Sequence, residues 1–201
     1  MVAAVLSLAV AVAPVSAQEN EDCLMCHEDP DLVGQQGEFE VSVFVDPEAF
    51  SASVHADFGC IDCHGDLDGA ELPHEDDLEA VDCTMCHDGI GEIYAESLHG
   101  QAVANGVEFA PRCSSCHGYH EIMPPSDPNS TVNRFNIPIM CGRCHKEGTP
   151  VSDFSTVDQD SVLEHYAMSI HGEGLYRRGL TGTAVCSDCH TAHDVRPHED
   201  P

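Results

Sequence analysis

The sequence contains no tryptophan, and its 201 residues include only seven phenylalanines and four tyrosines. Leucine, isoleucine and valine are thinly spread between stretches of Asp, Glu, Gly and Pro. A chain with so few large apolar side chains cannot build a sizeable core from them alone. Disorder is the simplest interpretation of such a charged composition. A folded chain would need something other than side chains to fill its interior.

Basic residues are also scarce. Seven Lys and Arg stand against 36 Asp and Glu, which gives a formal net charge of −29. A chain this acidic repels phosphate groups, so nucleic acid and anionic lipid are excluded as partners. Two interpretations of the charge stay open. It is either a solvated acidic surface or a surface that docks onto a basic patch of a partner protein.

Only one long apolar run occurs, at the N-terminus. Residues 2–13 are nearly all Ala, Val and Leu, and Val15-Ser16-Ala17 is typical of a signal cleavage site, although no Lys or Arg precedes the run. The run is too short and too rich in alanine for a good membrane span. We predict that residues 1–17 are a signal peptide, and that the mature chain is exported to the periplasm or cell exterior without a transmembrane anchor.

Cysteine and histidine, by contrast, are abundant, with 12 and 14 copies. Every cysteine belongs to one motif, Cys-x-x-Cys-His, which occurs six times. The motif cysteines are Cys23, Cys26, Cys60, Cys63, Cys83, Cys86, Cys113, Cys116, Cys141, Cys144, Cys186 and Cys189. The motif histidines are His27, His64, His87, His117, His145 and His190.

This spacing predicts covalent attachment of haem c. The two thiols add to the two vinyl groups of one haem, and the next residue places an imidazole under the iron as an axial ligand. A disulfide framework, structural zinc or a thioredoxin-like pair also uses cysteine pairs, but none requires a histidine after each second cysteine. We therefore predict six covalently bound haems c, whose flat apolar surfaces fill the interior.

A second pattern divides the chain into three similar units. Tyr94-Ala-Glu-Ser-Leu-His99-Gly100 matches Tyr166-Ala-Met-Ser-Ile-His171-Gly172, and each histidine precedes a haem motif by 14 or 15 residues. A shorter copy is Ser53-Val54-His55. We predict three tandem two-haem units, at residues 18–77, 78–130 and 131–201.

Each unit supplies two histidines outside the motifs. We call those of the Ser-aliphatic-His elements the leading histidines; they are His55, His99 and His171. We call those after each second motif the trailing histidines; they are His74, His120 and His193. Six haems thus meet six candidate distal ligands, which predicts bis-histidine ligation of every iron.

Tether length limits the pairing of these ligands. His120 and His193 each lie three residues after a motif histidine, too close to reach the far face of the same haem. We expect each of them to ligate a different haem, although the sequence does not say which. His165 and His198 fall outside the repeat. His198 repeats the Pro-His-Glu-Asp context of His74 and competes with it for a ligand role. Otherwise the two histidines are either solvent-exposed or ligands for another molecule.

The local structure is predicted to be mostly irregular with short α-helices. A capping box at Ser161-Val-Leu-Glu164 predicts a helix that runs to Arg177 and Arg178 and ends at Gly179. A matching helix is predicted from about residue 92 to 105, so that His99 and His171 lie on rigid elements. Alternating apolar residues over 39–45 predict a short strand, and residues 124–130 a linker.

With Ser-Leu-His-Gly before a haem motif and Cys-His-Gly-Tyr-His after it, the chain resembles the multihaem cytochromes of the c3 type with doubled haem motifs. The resemblance covers nearly the whole mature chain. It implies a small multihaem cytochrome wrapped around a haem stack. It also implies closely spaced, low-potential bis-histidine haems that carry electrons between redox partner proteins in the periplasm or outside the cell.

Electron transfer is predicted rather than catalysis, so we expect no catalytic residue. An iron with two histidine ligands has no open coordination position, whereas a reductase of nitrite, hydroxylamine or a sulfur oxyanion needs one. Multihaem nitrite reductases often carry Lys in place of one motif histidine, and here all six motifs end in His. A further alternative is a subunit of an extracellular cytochrome filament, in which a histidine of one subunit ligates a haem of the next.

Overall fold

The structure is a computed structural model that describes residues 19–75, 78–154 and 161–196. The predicted signal peptide and His198 lie outside the described residues. Within them, eleven α-helices of three to nine residues alternate with turns and irregular segments. The helices are Asn20–His27, Pro47–Ser51, Cys60–Cys63, Asp88–Glu96, Leu98–Ala104, Cys113–His117, Ile137–Gly142, Pro150–Phe154, Val162–Met168, Ile170–Gly172 and Cys186–His190. Single turns of other helix types span Gly65–Leu67, Cys83–Met85 and Glu173–Arg177. The predicted fold class, mostly irregular with short helices, is confirmed.

The predicted strand is part of a small hairpin. Strand Val33–Gln36 pairs antiparallel with strand Phe39–Ser42, so the strand ends earlier than the alternation suggested, and its partner was not predicted. Gly37 at the turn has a φ of +63°, which glycine adopts without strain. Just beyond the hairpin, the carbonyl oxygen of Val43 lies 2.7 Å from Nδ1 of His27, so the hairpin holds the first motif histidine in place.

The helix predicted over residues 92–105 is interrupted, and this prediction was wrong in detail. At Ser97 the backbone becomes extended, with a ψ of 163°, and a new helix begins. The Ser97 hydroxyl donates to the carbonyl of Tyr94 at 2.7 Å and accepts from the N–H of Gly100 at 3.0 Å. A serine at this position therefore ends one helix and caps the next. Gly106, with a φ of +74°, follows the second helix as predicted.

The predicted helix over residues 161–178 is interrupted in the same way at Ser169. The capping box at Ser161 does not form: the residue has a φ of +56°, and its side chain makes no capping hydrogen bond. A capping residue needs an extended backbone to direct its hydroxyl at the first free N–H groups, and a left-handed residue cannot do so. Gly179, with a φ of +64°, still ends the segment as predicted.

Very little of the chain is buried by protein alone. Among the described residues, only two hydrophobic side chains are buried, those of Leu175 and Val185, while twenty large hydrophobic side chains are exposed. No disulfide joins any of the twelve cysteines, all of which lie among the described residues. The scarcity of core that the composition predicts is therefore present in the fold, and large apolar surfaces remain uncovered.

Candidate haem sites

Each Cys-x-x-Cys-His motif begins on a helical turn, which brings its two thiols to one side because residues three apart share a face. In three motifs the residue before the second cysteine closes that turn by accepting a hydrogen bond from the backbone N–H of the residue before the first cysteine. These acceptors and donors are Asp62 with Gly59 at 2.7 Å, Ser115 with Arg112 at 3.0 Å, and Asp188 with Val185 at 2.7 Å.

Five of the six motif histidines face a histidine from outside the motifs, with ring centroids about 6 Å apart. The pairs are His27 with His74 at 5.9 Å, His55 with His87 at 6.1 Å, His64 with His120 at 6.3 Å, His99 with His145 at 6.2 Å, and His117 with His193 at 6.0 Å. Each pair joins one predicted proximal ligand to one predicted distal ligand.

This separation fits one iron between two imidazoles. Two metal–nitrogen distances of about 2 Å, together with the two ring radii, give roughly 6 Å between ring centroids. The protonation state fits as well, because burial and then the facing histidine lower the pKa of His99, His117 and His120. A lowered pKa keeps the imidazole neutral, which is its metal-binding form.

The pairs follow one offset along the chain. A leading histidine faces the first motif of the next predicted unit, and a trailing histidine faces the second motif of the previous one. The two leading histidines that follow this rule are His55 and His99, and the two trailing ones are His120 and His193. His74 is different, because it faces His27 within its own unit.

The remaining predicted ligands are His171 and His190. Neither has another histidine ring against it among residues 19–75, 78–154 and 161–196, and both are exposed. His165, which the repeat left unassigned, is exposed on the helix Val162–Met168. The structure thus brings together ten of the twelve predicted iron ligands in pairs.

The motif thiols form a continuous series through the molecule. The first cysteines of motifs one and two, three and four, and five and six lie side by side; the couples are Cys23 with Cys60, Cys83 with Cys113, and Cys141 with Cys186. Second cysteines connect these couples. Burial, Asp62 and Cys86 raise the pKa of Cys63, and burial, Cys144 and Cys113 raise that of Cys116. Each motif therefore lies next to the following one.

Two tyrosines that the sequence analysis did not assign to the sites position the leading histidines. The hydroxyl of Tyr94 donates to the carbonyl of Pro111, and that of Tyr166 donates to the carbonyl of Ala184 at 3.0 Å. Each acceptor lies two residues before the first cysteine of a motif. The tyrosines lie on the helices that immediately precede the histidine-bearing ones, and they hold those helices against the second motif of the same predicted unit. Their identical place in the repeat was the signal that could have identified them.

Backbone hydrogen bonds join successive predicted units at the facing pairs. The N–H of Val54 donates to the carbonyl of Ile122, and the N–H of Leu98 donates to the carbonyl of Val195, both at 2.8 Å. In each case the donor immediately precedes a leading histidine, and the acceptor lies two residues after the trailing histidine of the next unit. The two junctions are therefore built alike.

Comparison with known proteins gives one match. Residues 52–146, which contain four of the motif histidines, match the family model described as cytochrome c3. No curated protein and no solved structure matches the chain. In the part of the chain that the structure describes, the longest helix has nine residues, and none can cross a membrane.

Proposed function

We propose that this chain is a cytochrome c3-like multihaem cytochrome, an electron-transfer protein that binds six haems c covalently and conducts electrons along them outside the cytoplasm. Each haem is bound through the two cysteines and the histidine of one motif. Haem, when bound, supplies one-electron redox chemistry. The protein's part is to hold neighbouring haems close together and to fill the axial positions.

The facing histidine pairs are the observation that carries this proposal. A distal imidazole on the far side of an iron occupies the position that a substrate would need. Five such pairs, at centroid separations of 5.9 to 6.3 Å, support ligation for electron exchange rather than for substrate binding. In this assignment His120 serves the haem of Cys60 and Cys63, and His193 serves the haem of Cys113 and Cys116.

The contacts between successive motifs support a single path for electrons. Cysteine contacts link the motifs in chain order from Cys23 to Cys186, so haems bound at successive motifs would be held next to each other. Two histidine ligands stabilise ferric iron, and so do acidic, solvent-exposed surroundings. Both favour low reduction potentials. The net charge of −29 suits docking to redox partners with basic patches.

A reductive titration of the mature holoprotein tests this function. We expect six electrons per chain, taken up over a broad and low range of potential, with fast exchange with a protein partner that has a basic surface. Fewer than six electrons would contradict the haem count. Catalytic turnover of nitrite, hydroxylamine or a sulfur oxyanion would instead favour the reductase alternative.

A second candidate, a subunit of an extracellular cytochrome filament, is favoured by one observation. His171 occupies the place in the third unit that His99 occupies in the second, but it faces no motif histidine among the described residues. A histidine that is exposed and has no partner histidine in its own described residues suits ligation of a haem in another molecule. The two candidates agree on electron conduction and differ in whether the path continues into a neighbour.

A further inference from the structure

His171 is presented by the same local structure as His99. Ser169 has a ψ of 165°, against 163° at Ser97, and its hydroxyl donates to the carbonyl of Tyr166 at 2.7 Å and accepts from the N–H of Gly172 at 3.2 Å. His99 is directed by this structure at the first motif of the next unit rather than at the second motif of its own unit. His171 therefore points at the place where a following unit would supply a first-motif histidine.

The surface around His171 also corresponds to a junction surface. Ile170 matches Val54 and Leu98, whose N–H groups bond to the next unit, and its side chain is 82% exposed. Met168 takes the place of Glu96, which lies 3.6 Å from Arg196 across the second junction, and is 69% exposed. Two large apolar side chains thus flank the exposed histidine, as at a surface that another molecule covers.

The first unit carries the complementary groups. In the other four pairs, a first-motif histidine faces a leading histidine of the preceding unit, and a trailing histidine faces the second-motif histidine of the preceding unit. By this rule, His27 would face a leading histidine of a unit before it, and His74 would ligate the second-motif iron of that same unit. In the single chain the two face each other instead, and among the described residues they form the one pair that lies within a predicted unit. A preceding unit would have to offer one leading histidine and one second-motif haem, which in the third unit are His171 and the haem of His190.

We propose that His171 of one copy ligates the haem iron bound by His27 of a second copy, while His74 of that second copy ligates the iron bound by His190 of the first. The proposal rests on the proposed function, because it requires haem at both motifs. Each contact gives up the His27–His74 pair and forms two pairs in its place. In a copy that has a neighbour on both sides, all six irons then have two histidines and follow the offset rule.

This contact joins different surfaces of the two copies. A contact of this type repeats without closing, so the copies form an open head-to-tail chain. The series of neighbouring motifs then continues from the last haem of one copy to the first haem of the next. Met168 and Ile170 become covered in the process, which removes the exposed apolar surface beside His171.

The experiment measures mass and iron spin state together on the mature holoprotein. Sedimentation is followed against protein concentration in moderate salt, which screens the charge of −29 that holds copies apart. At low concentration we expect a monomer with one high-spin iron, that of His190. At high concentration we expect masses that grow beyond a dimer, together with loss of the high-spin signal in electron paramagnetic resonance.

The test variant is His171→Ala, and its matched control is His165→Ala on the neighbouring helix. The test variant should remain monomeric and keep one high-spin iron at every concentration. The control should assemble like the unmodified protein, because His165 is exposed and lies outside the repeat. Added imidazole offers a check that needs no substitution: it competes for the same coordination positions and should break the assemblies into monomers.

Several results would overturn the proposal. They are a mass that stops at a dimer, a monomer whose six irons are all low-spin, a monomer that keeps its high-spin iron at high concentration, and assembly of His171→Ala like the unmodified protein. Intact mass of the same sample separates this failure from that of the proposed function. A chain with six haems that does not assemble contradicts only the head-to-tail contact, whereas a chain with fewer haems contradicts both.

Discussion

Individual histidines show most clearly what the sequence distance between two ligands determines and what it does not. His120 lies only three residues after His117, which excludes ligation of one iron by both, and the structure places His120 against His64 instead, 56 residues earlier in the numbering. Sequence alone yields the exclusion because it depends on a short tether. It cannot yield the partner, because the partner depends on how separate units pack.

Replacement of His120 tests this assignment. In His120→Ala we expect the haem of Cys60 and Cys63 to lose its distal ligand and turn high-spin, which adds one high-spin iron per chain to the unmodified level. Electron paramagnetic resonance gives the count, and a structure of the variant locates the centre. His165→Ala should add none. A changed haem at Cys113 and Cys116, or no change, would show that His120 has another role.

Replacement of His193, the trailing histidine of the third predicted unit, tests the corresponding assignment there. His193 faces His117, with ring centroids 6.0 Å apart and ring planes 6° apart. His193→Ala should therefore leave the haem of Cys113 and Cys116 without a distal ligand, while the haem of Cys186 and Cys189 keeps the spin state that it has in the unmodified protein. The opposite distribution, read from the same spectra and structure, would mean that the offset between units is wrong.

Short helices, rather than long ones, are the elements that direct the leading histidines. The apolar period continues across Ser97, so the sequence predicts one helix where the structure has two, Asp88–Glu96 and Leu98–Ala104. The interruption depends on a serine cap together with a close approach of backbone at Gly100. A Cβ atom on Gly100 would lie 2.0 Å from the carbonyl oxygen of Tyr94. Contacts of this kind between adjacent helices are not encoded in periodicity.

Gly100→Ala tests whether this corner directs His99. The added methyl group cannot fit against the Tyr94 carbonyl, so the second helix must shift and carry His99 away from His145. We expect lower stability and a new high-spin iron at the haem of Cys141 and Cys144. Gly89→Ala is the control, because Gly89 lies in a helix with no atom within 4 Å of the added Cβ.

In the control, stability should stay the same or rise by up to about 1 kcal/mol, since alanine favours a helix over glycine. Thermal unfolding and visible spectra of both variants provide the comparison. If the haem of Cys141 and Cys144 stays low-spin in Gly100→Ala, and the variant is as stable as the control, then the turn at Gly100 does not determine the position of His99.

At the scale of the molecule, the motif count and the scarcity of apolar residues suffice to predict the class of protein and the fold class. Cys-x-x-Cys-His is a local motif, so its chemistry can be predicted without a structure. The offset between units and the exposure of His171 cannot be predicted in this way, because they depend on contacts between residues far apart in the sequence, such as Leu98 and Val195. The division into three units remains a prediction that agrees with these contacts.

The acidic surface makes a prediction about kinetics. Reduction by an electron-donor protein with a basic patch should slow steeply as ionic strength rises, because salt screens the attraction that brings the proteins together. A fall of about 10-fold or more between low and high salt is the expected range for steered association. Reduction by a small uncharged donor is the control and should hardly change. Equal salt dependence for both donors would show that the charge plays no part in docking.

The intact mass of the mature protein tests the central claim most directly. After denaturation and removal of free haem by acid and acetone, mass spectrometry should find a polypeptide that carries six haems through thioether bonds, one for each Cys-x-x-Cys-His motif. A mass with fewer haems, with zinc or with unmodified cysteines would contradict the account.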